Sequence, residues 1–387
     1  MKLFEFKNNV WLFGAVLLAV FTVSAGVRFQ QFKTWEKTPQ AYFVGERPMM
    51  TTLDAPYWLR WAREYNEGIY GQEDSLRSYP NGTDTFNKMS EKEVSIPLKY
   101  KDQTNASSSS YLSSYSVTQK IRYSDVPLLS FLIANFVQFF NNNYYLTGTM
   151  LIPALASLFI VPLGIYFFCI GLPVSGLLGG LVGTFAGGYF MRSSIGRIDT
   201  DMLNLFFPVL AGLLILLASR AKTERSILLY AIGAGLSLFL FQWWYSRAGF
   251  TLAFFAMLVF SMFVHQIRFR TILLSSFLFI LCVQPLFFMS GSSNIQNFLK
   301  GYLSFEETKE MILDNGTTPA SFPNTMTTIS EVNHVPIEEV LRRVLSNTTL
   351  DWLGFLGLFG LAVFKWRVLL SLLPMLALGV LSFQSSN

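Results

Sequence analysis

The chain has 387 residues, of which 52% are hydrophobic and 14% charged, with a net charge of +5. Soluble globular domains carry about one quarter charged residues, so this composition argues for a membrane protein. The positive charge does not signal nucleic acid, because the basic residues are scattered through short loops without a basic face or an aromatic RNA motif.

In chain order, the first apolar segment covers about 10–27 and follows Lys2 and Lys7. Val23-Ser24-Ala25 loosely resembles a cleavage site, but the run is longer than a signal-peptide core, so a retained anchor entering from the cytoplasm is expected. A first external loop, 28–144, follows. Within it, residues 80–120 are polar and low in complexity, and 126–140 are apolar but short of the roughly 20 residues needed to cross a bilayer. An interfacial helix is expected there. Further apolar segments at 145–169, 173–190, 202–219, 227–243, 248–264, 271–289, 352–364 and 368–383 bring the total to about nine spans. Arg220, Lys222 and Arg225, then Arg268 and Arg270, then Lys365 and Arg367 fall in loops that this alternation places in the cytoplasm, as the positive-inside rule requires. It places 28–144, the turn 191–201 and the loop 290–351 outside. Gly316, Pro319 and Pro323 mark 290–351 as a mobile external loop suited to ordering around a substrate. No internal repeat is present, and the expected fold is an all-α polytopic membrane protein. Cys169 and Cys282 lie in apolar runs and suggest neither a disulfide nor a thiolate metal site.

Three acidic positions stand out on the outer side. Asp54 precedes Ala55-Pro56 and an aromatic helical pattern, so its simplest role is a helix N-cap. Asp199 and Asp201 flank Thr200 just before a span and share a short turn with Arg192 and Arg197. An acidic pair at a helix start is commonly a cap, yet charges at the membrane boundary are costly unless matched. Glu331 lies in the loop 290–351, where a lone glutamate is ordinarily a solvated surface residue. Taken together, several carboxylates without useful cysteine or histidine suit a hard cation, Mg2+ or Mn2+, rather than zinc.

The order of these motifs resembles the catalytic subunits of oligosaccharyltransferases, best the bacterial single-subunit branch. The resemblance rests on the external Asp54, on Arg192 followed by Asp199-Thr200-Asp201, and on Thr328-Ile329-Ser330-Glu331; Trp243-Trp244-Tyr245 and Arg342-Arg343 add to it. It implies a GT-C-type glycosyltransferase that moves an oligosaccharide from a polyprenyl diphosphate to the side-chain amide of asparagine in Asn-Xaa-Ser/Thr sequons. The reaction would invert the anomeric carbon and depend on metal. Asp54, Asp199 and Glu331 would be metal ligands with Asp201 beside them, and Asp54, Glu331 and Arg192 catalytic. Tyr245 would meet the lipid pyrophosphate, while Ile329 and Arg343 would bind the acceptor polypeptide, Arg343 selecting an acidic residue two positions before the asparagine. The implied setting is a bacterial inner membrane with a periplasm-facing site. Residues 1–387 would form one transmembrane catalytic domain, the periplasmic domain with Trp-Trp-Asp-Tyr-Gly being absent from this sequence. Two other classes fit parts of the pattern: another polyprenyl-phosphosugar-dependent membrane glycosyltransferase, and a transporter or scaffold with an acidic vestibule.

Overall fold

The computed structural model describes residues 9–71, 126–245, 248–292, 306–313, 316–323 and 347–381. Its first helix, α1 (Val10–Lys37), is capped by Asn9, whose side chain accepts from the Leu12 amide at 3.0 Å. It runs well past residue 27, so the region after the first span opens on helix and not on loop. The cause is Arg28, which points into the bundle and is bonded at all three guanidinium nitrogens, leaving nothing to end the helix there.

A short helix α2 (Pro39–Tyr42) and a hairpin of β1 (Phe43–Val44) and β2 (Arg47–Pro48) lead to α3 (Ala55–Asn66). The helix α3 is amphipathic. Ala55, Leu59 and Ala62 recur at helical spacing and are buried, while Tyr57 and Tyr65 stay exposed. Helix α4 (Leu128–Phe136) continues through a 3-10 turn, Val137–Phe140, and packs across α3. Ser130 donates to the Trp58 carbonyl and Asn66 to the Ala134 carbonyl, each at 2.9 Å.

Helices α5 (Tyr144–Ser157) and α6 (Ile160–Cys169) read together as one span, followed by α7 (Pro173–Phe185) and α8 (Gly187–Arg192). A 3-10 turn, Thr200–Leu203, leads into α9 (Phe206–Arg220), and then come α10 (Glu224–Trp244), α11 (Ala248–Val264), α12 (Phe269–Val283) and α13 (Pro285–Ser292). A second antiparallel hairpin, β3 (Glu306–Leu313) with β4 (Gly316–Pro323), lies within the 290–351 region. The last elements are α14 (Thr348–Leu369) and α15 (Leu373–Leu381), joined by one 3-10 turn.

Among the described residues, 5 helices are long and apolar enough to cross a membrane, or up to 6 when the α12–α13 pair, bent by 99°, is taken as one span. The difference from about nine has two sources. Helices α7 and α11 have 13 and 17 residues, short of the roughly 20 that cross a bilayer, and the segments expected at 352–364 and 368–383 form one candidate span, Thr349–Ala377, kinked at Lys365. The core lies where α9, α10, α11 and α12 meet, with Ala211, Ile215, Ala231, Leu238, Phe254, Leu258 and Phe279 in one buried cluster. Small residues let the backbones approach closely. A Cβ on Gly235 of α10 would stand 2.9 Å from the Phe279 carbonyl of α12, and one on Gly180 of α7 would stand 3.0 Å from Ile160 of α6.

Candidate active site

Asp54 is the N-cap residue of α3 by position, yet its side chain makes no capping bond; its carbonyl accepts from the amides of Tyr57 at 3.0 Å and Trp58 at 3.2 Å. The exposed carboxylate is therefore not spent on the helix. Asp199 behaves differently. It caps the 3-10 turn, its Oδ1 accepting from the Thr200 amide at 2.7 Å. The turn is pinned from several sides: Thr51 donates to the Gly196 carbonyl at 3.0 Å, and the Trp244 indole donates to the Thr200 carbonyl at 2.6 Å. Gly196 has φ +81, and a Cβ there would meet the Met49 carbonyl at 2.7 Å and Trp35 at 2.6 Å, so only glycine fits between α1 and the approach to Asp54. Asp201 points toward Arg192, Nη1 to Oδ2 at 3.4 Å, with Asn204 Nδ2 at 3.4 Å from its other oxygen.

Asp54, Asp199 and Tyr245 line a single cavity of about 1270 Å³. That is larger than the roughly 300–1,000 Å³ of a drug-sized pocket. Its other walls are aromatic and amide: Tyr57, Trp58 and Tyr65 from α3, Phe131 from α4, Trp243 at the end of α10, and Gln242 and Gln284. Because residues from the ends of α10 and α12 share this cavity with Asp54 and the Asp199 turn, all of them lie at one face of the bundle.

Burial pushes the Asp199 carboxyl up from the ordinary carboxylate range, and the nearby charges of Asp201 and Asp54 push it the same way; the Thr200 amide and Arg197 pull it down. A half-buried carboxylate beside two other acids is a setting that a cation relieves. Among the described residues, however, no three acidic, histidine or cysteine side chains converge on a point. Glu331, the third expected ligand, lies outside the described residues, as do Ile329 and Arg343. Carboxylates without thiolate or imidazole are the donor type of a hard cation such as Mg2+ or Mn2+.

Residues 111–384 match the family model described as the N-terminal part of oligosaccharyl transferase STT3. This chain belongs to the STT3 family. Membership implies a glycosyltransferase, and the match covers Asp199, Asp201, Tyr245, Glu331 and Arg343, while Asp54 precedes it. No curated protein matches the chain. Within this STT3 chain, hydropathy and motif spacing did not point to the aromatic wall, since Tyr57, Tyr65 and Phe131 look like ordinary amphipathic helix positions until α3 and α4 are brought together. Nor did they point to Arg28, although an arginine at the end of an apolar run is a signal in itself.

Proposed function

We propose that this STT3 chain carries the active site of a single-subunit oligosaccharyltransferase in a bacterial cell membrane, with the cavity facing the periplasm. Its donor is an oligosaccharide on a polyprenyl diphosphate and its acceptor the asparagine side chain of Asn-Xaa-Ser/Thr. The observation that supports this best is the meeting of Asp54, Asp199 and Tyr245, from three distant parts of the sequence, in one cavity of about 1270 Å³.

An asparagine amide is a poor nucleophile because its nitrogen lone pair is delocalised into the carbonyl. In this reading Asp54 and Glu331 accept hydrogen bonds from the two amide hydrogens, which favours a twisted C–N bond and a freer lone pair. The nitrogen attacks the anomeric carbon opposite the diphosphate, the C–O bond breaks with inversion and its electron pair leaves on the diphosphate, and the nitrogen's proton passes to the Asp54 or Glu331 carboxylate that accepts its hydrogen bond. Asp54, Asp199 and Glu331 would hold Mg2+ or Mn2+, which when bound supplies positive charge against the departing diphosphate. Arg192 holds Asp201 beside that set, Tyr245 contacts the diphosphate, and Arg343 and Ile329 bind the acceptor, Arg343 selecting an acidic residue two positions before the asparagine.

The reading is tested with purified chain in lipid nanodiscs and a labelled polyprenyl-diphosphate oligosaccharide. Divalent-cation-dependent donor binding, weakened about tenfold by Tyr245→Phe, is the expected result. Donor binding indifferent to both the cation and Tyr245 would count against it.

A further inference from the structure

We propose that Arg28 is a positioning residue for the Asp199–Asp201 turn, a buried cation on α1 that fixes the turn from below; the inference rests on reading that turn as part of the active site. Arg28 has no exposed surface. Its Nε donates to the Ser193 carbonyl at 3.0 Å and its Nη2 to Ser193 Oγ at 2.7 Å. Its Nη1 reaches Thr184 Oγ1 at 2.9 Å and Ser24 Oγ at 3.0 Å, and Nη2 the Thr184 carbonyl at 3.2 Å. The aromatic rings of Phe190 and Tyr189 lie 5.1 and 5.8 Å from the guanidinium carbon. Every one of these partners is neutral.

A charge inside a membrane protein that lacks a counter-ion is costly, and a plain helix-to-helix staple does not need one. That staple already exists beside it: Ser24 bonds to Ser157 of α5 and to Thr184 of α7, each at 2.6 Å. What the guanidinium adds is reach. Ser193 adjoins Arg192, the partner of Asp201, and opens the turn that ends at Asp199. Between Arg28 and the acids stands Tyr189, whose hydroxyl reaches the carbonyls of Ala156 at 2.7 Å and Met202 at 3.2 Å. One face of α1 continues the support: Gln31 Oε1 accepts from the Ile195 amide at 3.3 Å, and Trp35 closes on Gly196. Ser24, Arg28, Gln31 and Trp35 are spaced by four, three and four residues, a single stripe of the helix. Arg28 thus joins the first span to the acidic turn and leaves a positive charge beneath it.

The full chain in nanodiscs gives three readouts: Mn2+ affinity by electron paramagnetic resonance, amide hydrogen exchange, and thermal stability. Arg28→Met should lower Mn2+ affinity about 10–100-fold, the range for residues that orient metal ligands. It should also speed exchange at residues 193–201 while α9 and α10 stay protected as in the wild type. Arg28→Lys, which keeps the charge but loses the planar fork, should fall between the two. Ser193→Ala removes one acceptor and should move the same readouts the same way by a smaller factor; it carries the test where Arg28→Met fails to fold. Wild-type affinity and wild-type exchange at the turn in these variants would overturn the inference, as would exchange that rises evenly over α1, α7 and α9. If the wild-type chain binds no Mn2+, the cation reading of the site fails, and the exchange pattern alone decides the role of Arg28.

Discussion

Asp54 and Asp201 differ in what surrounds them, and the difference sets how their variants should behave. Asp54 faces the cavity without a capping bond, whereas Asp201 is held by Arg192 and Asn204. Asp54→Ala should reduce glycan transfer to peptide by at least about 100-fold, and Asp201→Ala by about tenfold, in an assay with radiolabelled donor. Asp199 gives a separate test. Its carboxyl binds its proton more tightly in the folded chain than in the unfolded one, so its charge opposes folding at neutral pH and that opposition fades as pH falls toward the ordinary carboxylate range. In the presence of a chelator, Asp199→Asn should melt higher than wild type at pH 7, with the gap closing as the pH is lowered. An acidic pair before a span and its arginine were readable from spacing alone. Which acid caps a helix and which faces a cavity was not, because capping depends on the rotamer each carboxylate adopts against its own backbone.

At the scale of elements, α10 bears on both the packing and the cavity. Gly235 lets it lie against the α12 backbone, Ser237 donates to the Phe207 carbonyl of α9 at 3.0 Å, and its C-terminal end supplies Trp243 and Trp244, with Tyr245 next in the chain. Gly235→Val forces α10 from α12 at a point where the neighbour is backbone and cannot yield. A loss of about 1–3 kcal/mol is expected, measurable as a lower melting temperature in detergent, together with weaker donor binding. Hydropathy located most of these helices but drew two spans where α14 and α15 form one candidate span, since Lys365 and Arg367 look like a loop in sequence and sit instead at a kink and in the last turn of α14. It ended the first span at residue 27 for the same reason: hydropathy counts Arg28 as a charge in water and does not see the hydroxyls and carbonyls that receive it. Asn347 illustrates a constraint of the same kind. It opens a sequon, yet its side chain caps α14, accepting from Leu350 at 3.2 Å, so glycosylation of the chain's own Asn347 is disfavoured.

For the molecule as a whole, acceptor choice is expected to follow Arg343. Arg343→Ala should narrow the ratio of transfer to Asp-x-Asn-x-Thr over Ala-x-Asn-x-Thr peptides by about tenfold, and an unchanged ratio would assign the preference elsewhere. The family and the membrane character were legible because they rest on short strings and on composition; the shape of the cavity was not, since its walls come from α3, α4 and the ends of α10 and α12, which meet only in the fold. That dispersal of its walls bears on biogenesis. Asp54 emerges early, Asp199 and Tyr245 later, and Gln284 last. At about 5–20 residues per second, a ribosome needs on the order of tens of seconds to pass from the first wall to the last. For that interval the nascent chain carries Asp54 without the later walls of the cavity, so the chamber is complete only after α12 has been made.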